Sequence, residues 1–202
     1  MPQAHSATGS TVLVSAPSTG PVVGLPLVKL QLSVDHNNDD ELIRHYVSTA
    51  IDLARDYLEA DLLATTYTQK HDSFPLCCGE ILLDRWPVAA ADVSSISYLD
   101  TAGDSQALAT TVYKITAYER EKTRISLKSG QTWPSTYFEA DSVTIAFTAG
   151  WGVSSANVWA GPKQIQQAIL VMVADWYSCR EMGGMSKAAC GLLDQVRLFS
   201  YG

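Results

Sequence analysis

Residues 161–181 read GPKQIQQAILVMVADWYSCRE, and the fold turns on what this stretch packs against. Pro162 suits the first helical position, where a missing N–H costs nothing. Ile165, Ala168, Ile169, Met172, Val173 and Trp176 then recur on one helical stripe. Leu170, Val171 and Ala174 widen that stripe until only Gln164, Gln167, Asp175 and Ser178 read as wet. Gly183-Gly184 supplies the stop. A helix apolar on several faces needs more than one neighbour.

A partner helix lies upstream. Asn38 followed by Glu41 is a capping-box pattern, and Asp39 and Asp40 put negative charge at the positive end of a helix. Ile43, Tyr46, Val47, Ala50, Ala54, Tyr57 and Leu58 then keep the 3.6-residue period, which predicts a helix over 39–63. Ile51, Leu53 and Leu62 fall off the stripe, so more than one face is covered. Between the two helical regions the pattern changes to β. ATTYTQKHD (64–72), VSSISYLD (93–100), TTVYKITAY (110–118) and RISLKSG (124–130) read as strands, VSSISYLD with imperfect alternation. The clearest strand is SVTIAFTAG (142–150), with Val143, Ile145 and Phe147 on one face. A short helix over 186–195 closes the pattern. The fold class is α+β: a helical bundle of long N-terminal and C-terminal helices with an inserted antiparallel β region.

The ends read differently. Residues 1–26 form an extended arm rich in Ser, Thr, Gly and Pro, with apolar beads at Val12, Leu13, Val14, Val22 and Val23. Residues 27–34 suit a short helix or a short strand equally. The expected organisation is an arm (1–26), one domain over 27–198 (helical 27–63, β-rich 64–150, helical 161–195) and a tail, VRLFSYG, over 196–202.

Composition narrows the function. Charged residues make up 17% of the 202, below the roughly 25% of an average domain, as for a surface partly covered by partners. A net charge of −7 argues against a protein that grips nucleic acid through a broad basic face. Residues 12–28 are broken by Pro and Gly and preceded by no basic residue, which suits neither a signal peptide nor a membrane span. Cys77, Cys78, Cys179 and Cys190 contain no CxxC pair and read as reduced thiols. His5, His36, His45 and His71 stand apart, and no hydrolase, phosphate-loop or dinucleotide motif is present. Arg120, Lys122, Arg124 and Lys128 alternate with Glu119 and Glu121 and read as a solvated face. Trp133 and Trp151 anchor turns. No catalytic, cofactor or metal residues are expected, and the chain reads as a structural or interaction protein.

Several segments, in this order and spacing, resemble the gp6-like and gp8-like head-tail connector, or adaptor, proteins of tailed bacteriophages. LVKLQLSVDHNNDDELIRHYVSTAIDLARDYLEADLL (27–63) is similar to the family's Lys-bearing opening, Asp-Asp pair and first long helix. RWPVAAADVSSISYLDTAGDSQAL (85–108), Tyr113 with Arg124–Leu127, GQTWPS (130–135) and VTIAFTAGWG (143–152) resemble its β portion. The quoted helix and LLDQVR (192–197) resemble its end. Gly161 departs from the pattern, which has an apolar residue before the helix-starting Pro. The linker Gly183-Gly184-Met185 and the long arm also look particular to this chain.

The resemblance implies a non-enzymatic virion protein of the neck, free in the host cytoplasm during assembly and monomeric or weakly associated until it docks. Docked, it would form a ring of twelve beneath the portal protein, extend the DNA channel without sequence-specific binding, and seat a head-closure or tail-completion protein. No cofactor and no membrane are implied. The 162–181 helix would then meet both its own subunit's Ile43–Leu58 helix and a neighbour. Val196, Arg197, Leu198, Phe199 and Tyr201 are the candidate portal contact, and the Glu119–Lys122 loop a candidate neighbour or tail-side contact. The alternative is a phage stopper or tail-completion protein, which would prefer a β-barrel core.

Overall fold

The computed structural model describes residues 10–15, 20–76, 79–118, 120–152, 158–181 and 183–198. The chain forms two compact units and crosses between them three times: Met1–Pro17 with Ala64–Gly150, and Ser18–Leu63 with Trp151–Gly202. Helices near both ends of the chain flank a central antiparallel β region, the α+β class expected.

The first unit holds β1 (Ser10–Leu13), β2 (Thr65–His71), β3 (Ile81–Leu82), β4 (Val93–Leu99), β5 (Ser105–Ala107), β6 (Tyr113–Thr116), β7 (Arg124–Leu127) and β8 (Val143–Ala149). They make a five-stranded antiparallel sheet in the order β1-β2-β8-β4-β5 and a three-stranded sheet in the order β3-β7-β6. In β8 the alternation is strict: Val143, Ile145, Phe147 and Ala149 are buried. Opposite them, β2 buries Thr65, Tyr67, Gln69 and His71. The core is completed by Phe74, Leu83, Ile96, Leu108, Tyr113 and Ile125. The imperfect alternation of VSSISYLD has a cause. Val93 faces Phe147 while Ser95 faces Ala146, so an extra residue is bulged into β4 at Ser94, whose hydroxyl donates to the Ala146 carbonyl at 2.9 Å. Between β4 and β5 the Asp100 carboxylate accepts from the N–H groups of Ala102 and Asp104 and from the Gln106 amide, with Gly103 at φ 90°. Those bonds, the Gln106 amide foremost, hold the Asp100 carboxyl below its ordinary range.

Gln69 is a buried polar member of the core face and links the two sheets. Its amide nitrogen donates to the Leu82 carbonyl at 2.9 Å, and its oxygen accepts the Asp84 N–H at 3.0 Å. Gln69→Leu keeps the volume and strands both backbone groups. It is expected to destabilise the chain by about 1–3 kcal/mol, read by denaturant unfolding; an unchanged midpoint would mean water replaces both bonds.

The second unit holds α1 (Leu25–Leu32), α2 (Asp40–Leu58), α3 (Lys163–Cys179) and α4 (Lys187–Asp194). Residues 27–34, open to either reading, lie largely in α1, which has Pro26 in its first turn. The expectation of a helix over 39–63 is too long. Glu59 adopts a left-handed conformation (φ 51°) and closes α2 on the carbonyls of Arg55 and Asp56. Leu62 beyond it is apolar because it is buried, not because it is helical. The arm is also shorter than expected: Ser10–Leu13 is paired in the sheet, and Val22 and Val23 are buried. Ser186 caps α4 by accepting the Ala189 N–H.

Candidate functional site

The quoted helix is the centre of its unit. In α3, Ile165, Ala168, Ile169, Leu170, Met172, Val173 and Trp176 are all buried, and α1, α2 and α4 each pack against it. On α2 the residues Ile43, Tyr46, Ala50, Ala54 and Leu58 are buried, with the Tyr46 ring edge-on to Trp176 at 6.1 Å. The several apolar faces of α3 are therefore covered by three helices of the same chain. A neighbouring subunit is not needed to explain them.

Pro162 is the N-cap of α3 rather than its first residue, and the chain before it is locked by Trp159. That indole is 2% exposed, donates to the Leu62 carbonyl at 2.7 Å, and meets Trp151 edge-on at 5.7 Å. A Cβ on Gly161 would lie 2.1 Å from Cζ2 of Trp159. The departure at Gly161 thus makes room for an indole.

The polar residues of the opening and closing motifs meet in this unit. Lys29 of α1 donates to Asp40 at 2.9 Å and to Asn37 at 2.7 Å. The capping box of Asn38 and Glu41 does not form. Asp39 is the N-cap of α2 and makes no side-chain cap. Its carboxylate instead accepts the Tyr177 hydroxyl at 2.5 Å and lies 3.5 Å from the Arg180 guanidinium, which sits over the Tyr177 ring. The Tyr177 hydrogen bond, assisted by Arg180, holds the Asp39 carboxyl below its ordinary value, and the same bond pushes the Tyr177 phenol up against the opposing pull of Arg180. At the other end of α2, Tyr57 donates to Asp194 of α4 at 2.6 Å, with Arg197 over its ring. These contacts fasten helices and suggest no chemistry. Among the described residues no three His, Cys, Asp or Glu are placed to hold a metal ion, and no helix is long and apolar enough to cross a membrane.

The apolar surface left open lies elsewhere. In α1, Val28 points inward while Leu27 and Leu30 face solvent, Leu30 at 77% exposure. A groove of about 320 Å³ runs beside α2, lined by Val22, Val23, Leu25, Val47 and Ile51, with Arg44 at its edge. In the β unit, Phe74 stacks on Trp133 at 4.8 Å in the wall of a cleft of about 420 Å³, and Leu76, Tyr137 and Phe138 are exposed. The solvent-facing α1 stripe went unnoticed in the sequence; a helix of eight residues with Leu at 25, 27, 30 and 32 was its signal.

Of the candidate portal contact, Val196 is buried, and its N–H and that of Arg197 bond to the Leu193 carbonyl. Leu198 is half-buried, and Phe199 and Tyr201 lie outside the described residues, as do Cys77, Cys78, His5 and Glu119. Val196 belongs to the unit's interior. Arg124 of the basic patch is paired with Glu121 and Glu80. His45 is exposed on α2, and Cys179 and Cys190 are free thiols.

Residues 24–84 match the family described as phage gp6-like head-tail connector protein. No curated protein matches the chain. Among solved structures, a chain of the virion of a native gene transfer agent particle is 20% identical with a TM-score of 0.69, covering 95% of this chain and 96% of that one. A chain from the neck of the empty particle, computed with sixfold symmetry, gives 20% and 0.69 over 95% and 97%. One from the neck of the native particle, computed with twelvefold symmetry, gives 21% and 0.64 over 95% and 97%. Over almost its whole length, the chain therefore has the fold of a protein of gene transfer agent necks.

Proposed function

We propose that this protein is a head-tail connector (adaptor) of a tailed phage or phage-like particle. It forms a ring, of twelve copies, beneath the portal protein, prolongs the DNA channel and seats a head-closure or tail-completion protein. The observation that carries this reading is the fold likeness to neck proteins over 95% of the chain, joined by the connector-family match at 24–84. The acidic balance of −7 suits a passage that DNA traverses without adhering. A helical unit built around α3 also favours a connector over a stopper made mainly of β-barrel.

Subunits meet through α1, whose outer stripe of Leu27 and Leu30 is apolar and exposed. Leu30→Glu is expected to leave the stability of the free chain within about 0.5 kcal/mol. It should abolish ring formation, as read by native mass and particle imaging of the chain mixed with its portal protein. Rings of normal mass would remove α1 from the interface. A chain that stays monomeric with every portal preparation would sink the connector reading itself.

The portal-facing contact falls on Leu198 and the residues after it, because Val196 is spent inside the unit. Truncation after Arg197 should preserve the unfolding midpoint and cut portal binding at least tenfold, measured by co-sedimentation. Undiminished binding would move that contact elsewhere.

A further inference from the structure

We infer that β1 is an exchangeable strand: in the assembled ring, β1 of one copy completes the sheet of the next copy. This inference rests on the ring reading above.

β1 is tied to its unit in an unusual way. Every other strand of that unit lies in the continuous run Ala64–Gly150, whereas β1 joins the chain through Pro17 to the helical unit. Its attachment to the sheet is therefore wholly non-covalent. That attachment is a ladder in which Ser10, Thr11, Val12 and Leu13 face Lys70, Gln69, Thr68 and Tyr67, extended by the Val14 N–H to the Thr66 carbonyl at 3.0 Å. The side chains add little. Val12, Leu13 and Val14 are each more than half exposed, and Thr11 donates a side-chain bond to Asp84 at 2.9 Å. A main-chain ladder is supplied equally well by the same strand from another copy, so exchange changes no bond and leaves only the tether to decide.

The tether permits it. Ser15 to Gly20 spans at most about 17 Å when extended, so a neighbour's β2 edge within that reach is accessible. In a ring, a neighbour held at that distance raises the effective concentration of its β2 edge towards that of the copy's own edge. Left without any β1, the outer edge of β2 would present unpaired backbone groups next to a core strand. Each exchanged strand thus closes one copy's sheet while tethering the next copy.

The pair Val12 and Thr68 face each other across the ladder, and the hydrogen-bonded Val14–Thr66 position two residues on sets theirs at about 5.5 Å between Cα atoms, suitable for a disulfide. Full-length Val12→Cys/Thr68→Cys chains, half of them isotope-labelled, would be mixed, assembled on the portal protein and oxidised. The peptide linking positions 12 and 68 would then be read by mass spectrometry, with ring mass measured in parallel. Exchange gives mixed-isotope linked peptide, about half of the total for random neighbours, and covalent multimers under denaturing conditions. Linked peptide of single isotope only, or no linked peptide, in rings of full mass overturns the exchange and leaves the connector reading standing. Absence of rings together with single-isotope links would overturn both.

Discussion

Gly161→Ala is expected to destabilise the chain by about 2–4 kcal/mol, an unusual cost for one methyl group. Gly161 does not use a left-handed backbone, so alanine meets no conformational penalty, and the cost is steric. The new Cβ would stand 2.1–2.5 Å from three ring atoms of Trp159. That indole is buried and holds the Leu62 carbonyl, so it cannot withdraw without breaking its bond and loosening its contact with Trp151. Trp159→Ala alone should cost about 3–5 kcal/mol. In that background Gly161→Ala should be nearly neutral, because the atoms it strikes are gone. Denaturant unfolding of the two single variants and the double variant closes the cycle. Additive costs would mean that Gly161 is needed for some reason other than Trp159.

Ile169→Ala is the second large effect, about 2–5 kcal/mol lost from the free, unassembled chain. Ile169 is fully buried on α3, which α1, α2 and α4 surround. The measurement separates two accounts of why this helix is so apolar. Were its second face reserved for a neighbour, truncating Ile169 would spare the monomer and weaken only the ring. Covered from within, it weakens the monomer at any concentration. A midpoint that is unchanged in the free chain but falls for the ring would restore α3 to the subunit seam. Leu30→Glu is the mirror case, silent in the free chain and costly on assembly.

The elements that were legible in the sequence are those with one buried face and a long period. Val143, Ile145 and Phe147 announced β8, and the stripe from Ile165 to Trp176 announced α3. Where the reading failed, distant parts of the chain decide. Asp39 looks like part of a local cap, yet its carboxylate is occupied by Tyr177 and Arg180 from the far end of the sequence. β1 gave no strand signal because an edge strand with both faces largely exposed has no alternation to show. Gln69 sits where a strand pattern expects an apolar residue, because it must bridge two sheets. The exposed apolar surface was the least legible of all. Periodicity tells how many faces of a helix are apolar but not how many neighbours the same chain will bring. It therefore could not foresee that α1 and α4 cover faces of α3, and it overlooked the outer stripe of α1.

The placement of the β unit between α2 and α3 bears on how the chain reaches its folded state. The two helices at the heart of the bundle are separated by the whole of Ala64–Gly150, and meeting across a floppy segment of that length carries a loop-closure penalty and slows folding. The pairing of β2 with β8 removes the difficulty. Thr65 and Ala149 are register partners, about 5 Å apart, so the inserted segment begins and ends at almost the same point. Once those two strands have zipped, the helices are joined by what is in effect a short connector, and the bundle can condense as if it were local. The sheet is thus a clasp in time as well as in space. An injury to the ladder at Thr65 and Ala149 would reach the helices through the order of events, without touching any residue of their core.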